Sequence, residues 1–276
     1  MPEGPAFRRP LNHVITYIPS LDLYLDSTAR FAPFGQLHSE IYDKPTVLVA
    51  LNRYGRTPKM TPTDHRVVVN VNMTMAADGS IKGTSTTNWS GAPEINSRLN
   101  RFYAQNTSME SIVNTLLYRF NEIGSGEIQH TPPLEIDKPY KVDAQFELES
   151  ISDLSRAGTF TVPVGLAPGR IAIMTIYKPL VKRYFNFVCD SYIDEEHYQM
   201  NLPDDLTIVS LPKDVYYQDR NIRYESRYMQ EGQTLIIKRI LTVDYPSRVC
   251  TPEDHDQYVK AVQVLRMDQR AQVMFQ

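Results

Sequence analysis

The alternation of apolar and polar positions divides this chain into short β-rich runs interrupted by a few helical stretches. Near the start, two β-rich runs flank Pro19-Ser20 within Asn12–Thr28. Pro pre-sets φ for a turn, so these residues predict a hairpin in which Ile18 faces Leu21, Ile15 faces Tyr24 and His13 faces Asp26. The apolar run Thr46–Leu51 reads as a further strand inside a Pro-rich connector. From His65 onward, Val67, Val69, Val71, Met73 and Met75 alternate with Arg66, Val68, Asn70, Asn72 and Thr74, the period of a half-buried strand. Asp78-Gly79 predicts a tight turn, and Ser80–Trp89 the return strand.

Helical spacing follows. Pro93-Glu94 suits the first turn of a helix reaching about Tyr103. Thr107-Ser108-Met109-Glu110 has capping-box spacing, with Thr107 as the cap. Behind it Met109, Ile112, Val113, Leu116, Leu117, Phe120 and Ile123 form an i, i+3, i+4 stripe that Gly124 stops. Strands are expected again at Gly126–His130 and Tyr140–Ser150. Beyond residue 151 come β-rich runs at Ile171–Tyr177, Tyr184–Cys189, His197–Leu202, Thr207–Leu211, Asn221–Met229, Thr234–Asp244 and Ala271–Phe275. A short helical segment runs from Thr251 toward Leu265. Short strands separated by turn signals, with little helix, indicate a sandwich. The expectation is an α+β chain dominated by β structure: an N-terminal hairpin and connector over 1–64, a small α+β unit over 65–150, and an antiparallel β-sandwich over 151–276.

Composition narrows the partners. The 276 residues are 42% hydrophobic and 22% charged, with a formal net charge of −3, so nothing points to nucleic acid or an anionic membrane. No apolar run approaches the roughly 18–20 residues of a membrane span. Met1–Pro10 lacks the apolar core of a secretory signal. No glycine-rich phosphate loop, dinucleotide fingerprint, Ser-nucleophile elbow or HExxH motif occurs, and no cofactor is expected.

Candidate chemistry is sparse. An imidazole beside a carboxylate, as in His13 and Asp26, is the base and orienting group of a nucleophile–His–Asp site. His38, Asp43, Asp64 and His65 match no metal spacing and read as solvated loop residues. Asp190, Asp194, Glu195, Glu196 and His197 lack the alternating ligands and glycine of a calcium loop and read as another solvated loop. Tyr224 and Tyr228, at strand spacing with Ser226 between them, are the candidate ligand face, of a kind that lines carbohydrate or peptide grooves, although half-buried tyrosines are commoner. Cys189 and Cys250, without CxxC spacing or ligand histidines, are not zinc ligands. The sequence alone leaves them as a disulfide, two buried thiols or a nucleophile.

The stretch Asn12–Gly35, with His13 and Asp26 on consecutive strands, Asp22-Leu23-Tyr24-Leu25-Asp26-Ser27-Thr28-Ala29 and then Phe31-Ala32-Pro33-Phe34-Gly35, resembles the end of a transglutaminase-like core. It is similar to that of bacterial envelope proteins in which a domain of unknown function precedes the core and a β-rich domain follows. The resemblance implies His13 as general base and Asp26 as its orienter, residues 1–64 as a remnant of the core, and the periplasm or cell envelope as location. It also implies that Cys189 and Cys250 face each other in the last domain, closing a loop of about 60 residues. The family's Cys lies upstream of the His, and residues 1–12 hold none. The pair is therefore expected to be vestigial in this chain, which serves as a non-catalytic structural or binding portion for a protein or envelope component. The rival expectation is thiol-dependent acyl transfer or amide hydrolysis with the Cys supplied from elsewhere. The third is a carbohydrate- or peptide-binding sandwich.

Overall fold

The computed structural model describes residues 11–176 and 182–276. The reading of Met1–Pro10 and the end of the Ile171–Tyr177 run lie outside the described residues. In chain order, β1 (Thr16–Ile18) and β2 (Leu23–Leu25) form a small hairpin, and β3 (Pro45–Leu48) and β4 (Arg53–Arg56) a second. Then come β5 (Arg66–Met75), β6 (Ile81–Trp89), α1 (Ala92–Tyr103), α2 (Met109–Arg119), β7 (Gly124–His130) and β8 (Tyr140–Leu148). The rest is β9 (Gly158–Thr161), α3 (Arg170–Ile176), β10 (Phe187–Val188), β11 (Tyr192–Asn201), β12 (Ile208–Ser210) and β13 (Val215–Asp219). β14 (Ile222–Glu231), β15 (Thr234–Val243), β16 (Val249–Cys250), α4 (Pro252–Gln269) and β17 (Gln272–Phe275) complete it. The class is α+β and β-dominated.

One eight-stranded sheet organises the described residues, in the order β13-β14-β15-β11-β5-β6-β8-β7. Neighbours are antiparallel except β11 and β5, which run parallel with Ile193 opposite Arg66. The boundary expected at residue 150 therefore falls inside a single sheet, and the strands after it do not form a separate sandwich. Local alternation marks a strand without naming its partner, and the parallel junction joins segments far apart in sequence. A three-stranded sheet, β12-β17-β9, lies beside it.

The covered face of the large sheet has two cores. Val69, Val71, Tyr198, Met200 and Ile237 pack with Val113 and Leu117 of α2 and with Phe160 and Phe275 of the small sheet. Toward the other edge, Tyr192, Tyr224 and Leu241 pack with Ile171 of α3 and with Ala261 and Leu265 of α4. The opposite face presents polar residues such as Asn70, Asn72 and Gln199 to solvent, as one side of an antiparallel sheet commonly does. Tyr24, Leu37, Tyr42, Leu48, Met60 and Ala92 form a smaller satellite core that seats the N-terminal hairpins on the start of α1.

Several local expectations change. Ile171–Ile176 is helical, because it packs on α4 and anchors its first turn to β11 rather than joining a sheet. Ser108, not Thr107, caps α2, accepting from Ser111 N at 3.2 Å. The reciprocal capping box sits at α4, where Thr251 and Asp254 exchange hydrogen bonds. That helix is longer than expected, and β9 and β13 were not foreseen.

Candidate functional site: an imidazole–carboxylate pair

The N-terminal hairpin differs from its expected register. Pro19–Leu21 forms a 3-10 turn, Asp22 adopts a left-handed φ of 47°, and Asp22 N donates to Pro19 O at 3.3 Å. The loop is thus four residues long, and Tyr17, not Ile15, faces Tyr24. Tyr17 OH donates to Asp22 Oδ1 at 2.8 Å, which holds the left-handed residue in place. The shift is by two positions, so every side chain keeps its face.

His13 and Asp26 lie beyond the paired strands yet still meet: Nε2 of His13 is 2.8 Å from Asp26 Oδ2. The other carboxylate oxygen accepts from Thr28 N at 3.0 Å and from Thr28 Oγ1 at 2.7 Å. This is the local Asx geometry an Asp-x-Thr sequence favours, and it holds the carboxylate by contacts that do not depend on the imidazole. The Asp26 side chain is 4% exposed and that of His13 35%. Burial pushes the Asp26 carboxyl up. The hydrogen bonds from Thr28 and His13 outweigh it and leave the carboxyl below its ordinary value. Ionised Asp26 is an acceptor only, so a neutral His13 carries its proton on Nε2 and leaves the Nδ1 lone pair free. Among the described residues Nδ1 has no hydrogen-bond partner.

The pair lines a groove of about 1360 Å³ between the two hairpins and α1. Its other walls are largely apolar: Val14, Val47, Val49, Leu51 and Tyr103 line it, and each is exposed. The imidazole and carboxylate that the sequence singled out are therefore in contact. Cys189 and Cys250, the only cysteines in the sequence, form a disulfide with Cα atoms 5.9 Å apart. It ties β10 to β16 and is buried on both sides.

The other residues singled out in the sequence sit elsewhere. Tyr224 and Tyr228 are 0% and 8% exposed, on the covered face. Their hydroxyls donate to Asp268 of α4, at 2.6 and 3.0 Å. They are core struts beneath a helix, and the ligand face expected there is not formed. The acidic run is not a loop either. Asp194 and Glu196 are 1% and 0% exposed on β11, sharing a face with Tyr192, Tyr198 and Met200, whose alternation was the available signal. His65 is likewise buried, and its Nδ1 accepts from Ala92 N, the first residue of α1, at 3.0 Å. Burial drives its pKa down to about 4, so it remains the neutral acceptor that this bond requires.

Sequence reasoning missed a buried polar network. Arg239 Nε donates to Asp268 Oδ2 at 2.8 Å, and Ser226 Oγ to Oδ1 at 2.7 Å. Arg239 also reaches Tyr228 OH at 3.0 Å and approaches Glu196 at 3.8 Å. Burial opposes its charge, but the surrounding tyrosines and carboxylates hold its pKa well above the ordinary value. No group of three or more His, Cys, Asp or Glu that could hold a metal occurs among the described residues.

A comparison with known families matches part of the chain. A domain of unknown function with a solved structure, DUF3858, matches residues 173–275. Among solved structures, a "putative protease" from Parabacteroides distasonis is 13% identical with a TM-score of 0.34, over 44% of this chain and 23% of that one. Baculovirus P35 is 8% identical with a TM-score of 0.18, over 66% of this chain and 98% of that one. Both scores are too low to establish a shared fold. No curated protein matches the chain.

Proposed function

We propose that this chain is a portion of a transglutaminase-like envelope protein, carrying the base and orienting carboxylate of a thiol-dependent acyl-transfer site but not its nucleophile. By itself it is a structural and binding module. The observation that supports this reading is the 2.8 Å contact from His13 Nε2 to an Asp26 carboxylate already fixed by Thr28. It leaves Nδ1 as an unused proton acceptor in a largely apolar groove of about 1360 Å³. A thiol brought to Nδ1 would lose its proton to the imidazole and attack an amide carbonyl. The imidazolium, stabilised by Asp26, would return that proton to the departing amine. The disulfide supports an oxidising compartment as the location.

Two measurements test the reading. With a glutaminyl peptide and a primary amine, the 276-residue chain should give no transfer and no amide hydrolysis. Turnover that His13→Ala abolishes would overturn the non-catalytic assignment. Nitrogen-15 shifts of the neutral His13 ring should report the proton on Nε2, and Asp26→Asn should redistribute it toward Nδ1. A wild-type ring protonated mainly on Nδ1 would remove the base–orienter assignment.

A further inference from the structure

Residues 162–176, a loop followed by α3, lie on the covered face of the sheet, with Leu166 in the first core and Ile171 in the second. Three carboxylates from elsewhere in the chain hold this segment. Glu122, just past α2, accepts from Val164 N at 2.6 Å and Gly165 N at 2.9 Å, one bond to each oxygen. Asp194 faces Arg170 Nε at 3.1 Å. Glu196, on the same face of β11, accepts from Ala172 N at 3.0 Å through Oε1.

Cations are too few to neutralise them. Arg170 belongs to the segment itself and is one-quarter exposed. Arg239 from β15 is already committed to Asp268, and only then lies 3.8 Å from Glu196. Glu122 has no cationic partner among the described residues. The remaining ionisable neighbours add no positive charge. Tyr192 from β11, Tyr258 from α4 and Glu196 itself adjoin Asp194. Tyr198 from β11, Tyr224 from β14 and Asp268 from α4 adjoin Glu196, and Tyr198 also adjoins Glu122. Carboxylates taken out of water beside like charges, or with no cation at all, favour the neutral acid.

We infer that docking of residues 162–176 takes up protons, so that the segment is a clasp gripping more tightly in acid and loosening as the pH rises to neutrality. Burial moves both Asp194 and Glu122 up to about 7, from ordinary values of 3.8 and 4.5. Glu196 shifts in the same direction, again chiefly through burial. Undocking that returns these carboxyls to water lets them regain their ordinary values, so between those values and about 7 the docked state holds more protons than the undocked state. Raising the pH through that window therefore favours undocking. Below the window both states are protonated, and above it both are ionised, so the effect is confined between them.

Hydrogen exchange of the intact chain, corrected for the intrinsic pH dependence of amide exchange, tests this directly. The Val164, Gly165, Ala172 and Ile173 amides should open at least about tenfold more often at pH 7.5 than at pH 5. Amides at the sheet centre, in β5 and β6, should not follow. Glu122→Gln and Asp194→Asn, each of which removes a titrating proton, should flatten the profile. A wild-type profile that is flat, or that moves in step with β5 and β6, overturns the inference, even if a variant fails to fold. So does a pH dependence that survives unchanged in both variants.

Discussion

Replacing Asp268 with alanine removes the one group on which four buried donors converge. Tyr224 OH and Arg239 Nε donate to Oδ2 at 2.6 and 2.8 Å, and Ser226 Oγ and Tyr228 OH to Oδ1 at 2.7 and 3.0 Å. The Asp268 side chain is 0% exposed and that of Arg239 3%, so the guanidinium cannot reach water when its partner is lost. Breaking a buried pair from one side costs about 3–5 kcal/mol, because the remaining charge stays buried. Stranded hydroxyls add to this, but less than additively, since all four donors share one acceptor. With a urea m-value near 3 kcal/mol/M, a loss of about 4 kcal/mol lowers the unfolding midpoint by about 1.3 M. Urea unfolding followed by far-ultraviolet circular dichroism reads this shift. Combining Asp268→Leu with Arg239→Met, which leaves no orphan charge, should recover part of the loss. A decrease under about 1 kcal/mol for Asp268→Ala would mean that Arg239 finds solvent or another partner. The network would then not be the brace described.

Two further perturbations check other joints. Alkylation of the denatured, unreduced chain should label neither Cys189 nor Cys250, and replacing both with serine should cost about 4 kcal/mol by loop-closure entropy. Labelling of both thiols, or an unchanged melting curve, would contradict that. Gly91 has a φ of 68°, and a Cβ there would run into Asp64 O and His65 Nδ1. Gly91→Ala should therefore destabilise by more than about 1 kcal/mol and expose the Ala92 amide to exchange. A neutral substitution would show that the His65 bond does not hold the start of α1.

The strands were legible wherever alternation was strong, as at Val67–Met75, because a half-buried strand writes its period directly into the sequence. The partnership of β5 with β11 was not, since parallel neighbours carry no turn between them to announce the pairing. Charge misled for a related reason. Asp194 and Glu196 read as solvated because acidic side chains usually are. Their burial depends on Arg170 and Arg239, which stand at distant places in the chain, and on Asp268, which competes for Arg239. Tyr224 and Tyr228 gave the correct face period and the wrong side of the sheet, a distinction set by α4. The His13–Asp26 pair was found through a register that proved two residues off. It survived because a shift of two preserves faces, and because Thr28 holds Asp26 by contacts local in sequence.

The two carboxylate clusters separate a brace from a site by how much of their bonding capacity is used. Around Asp268 both oxygens are saturated by donors that are themselves buried, so nothing can be exchanged with a ligand without dismantling the core. Asp26 has three such contacts, two from Thr28 and one from His13, and it bears on an imidazole whose other nitrogen is unspent. That nitrogen belongs to a side chain 35% exposed on a groove wall, where a partner can approach without disturbing packing. The two cysteines that the sequence contains are joined to each other away from this nitrogen, as a disulfide. The same disulfide ties down β10, whose Val188 forms part of the groove wall. The disulfide thus stands next to the groove wall, as a cross-link between β10 and β16.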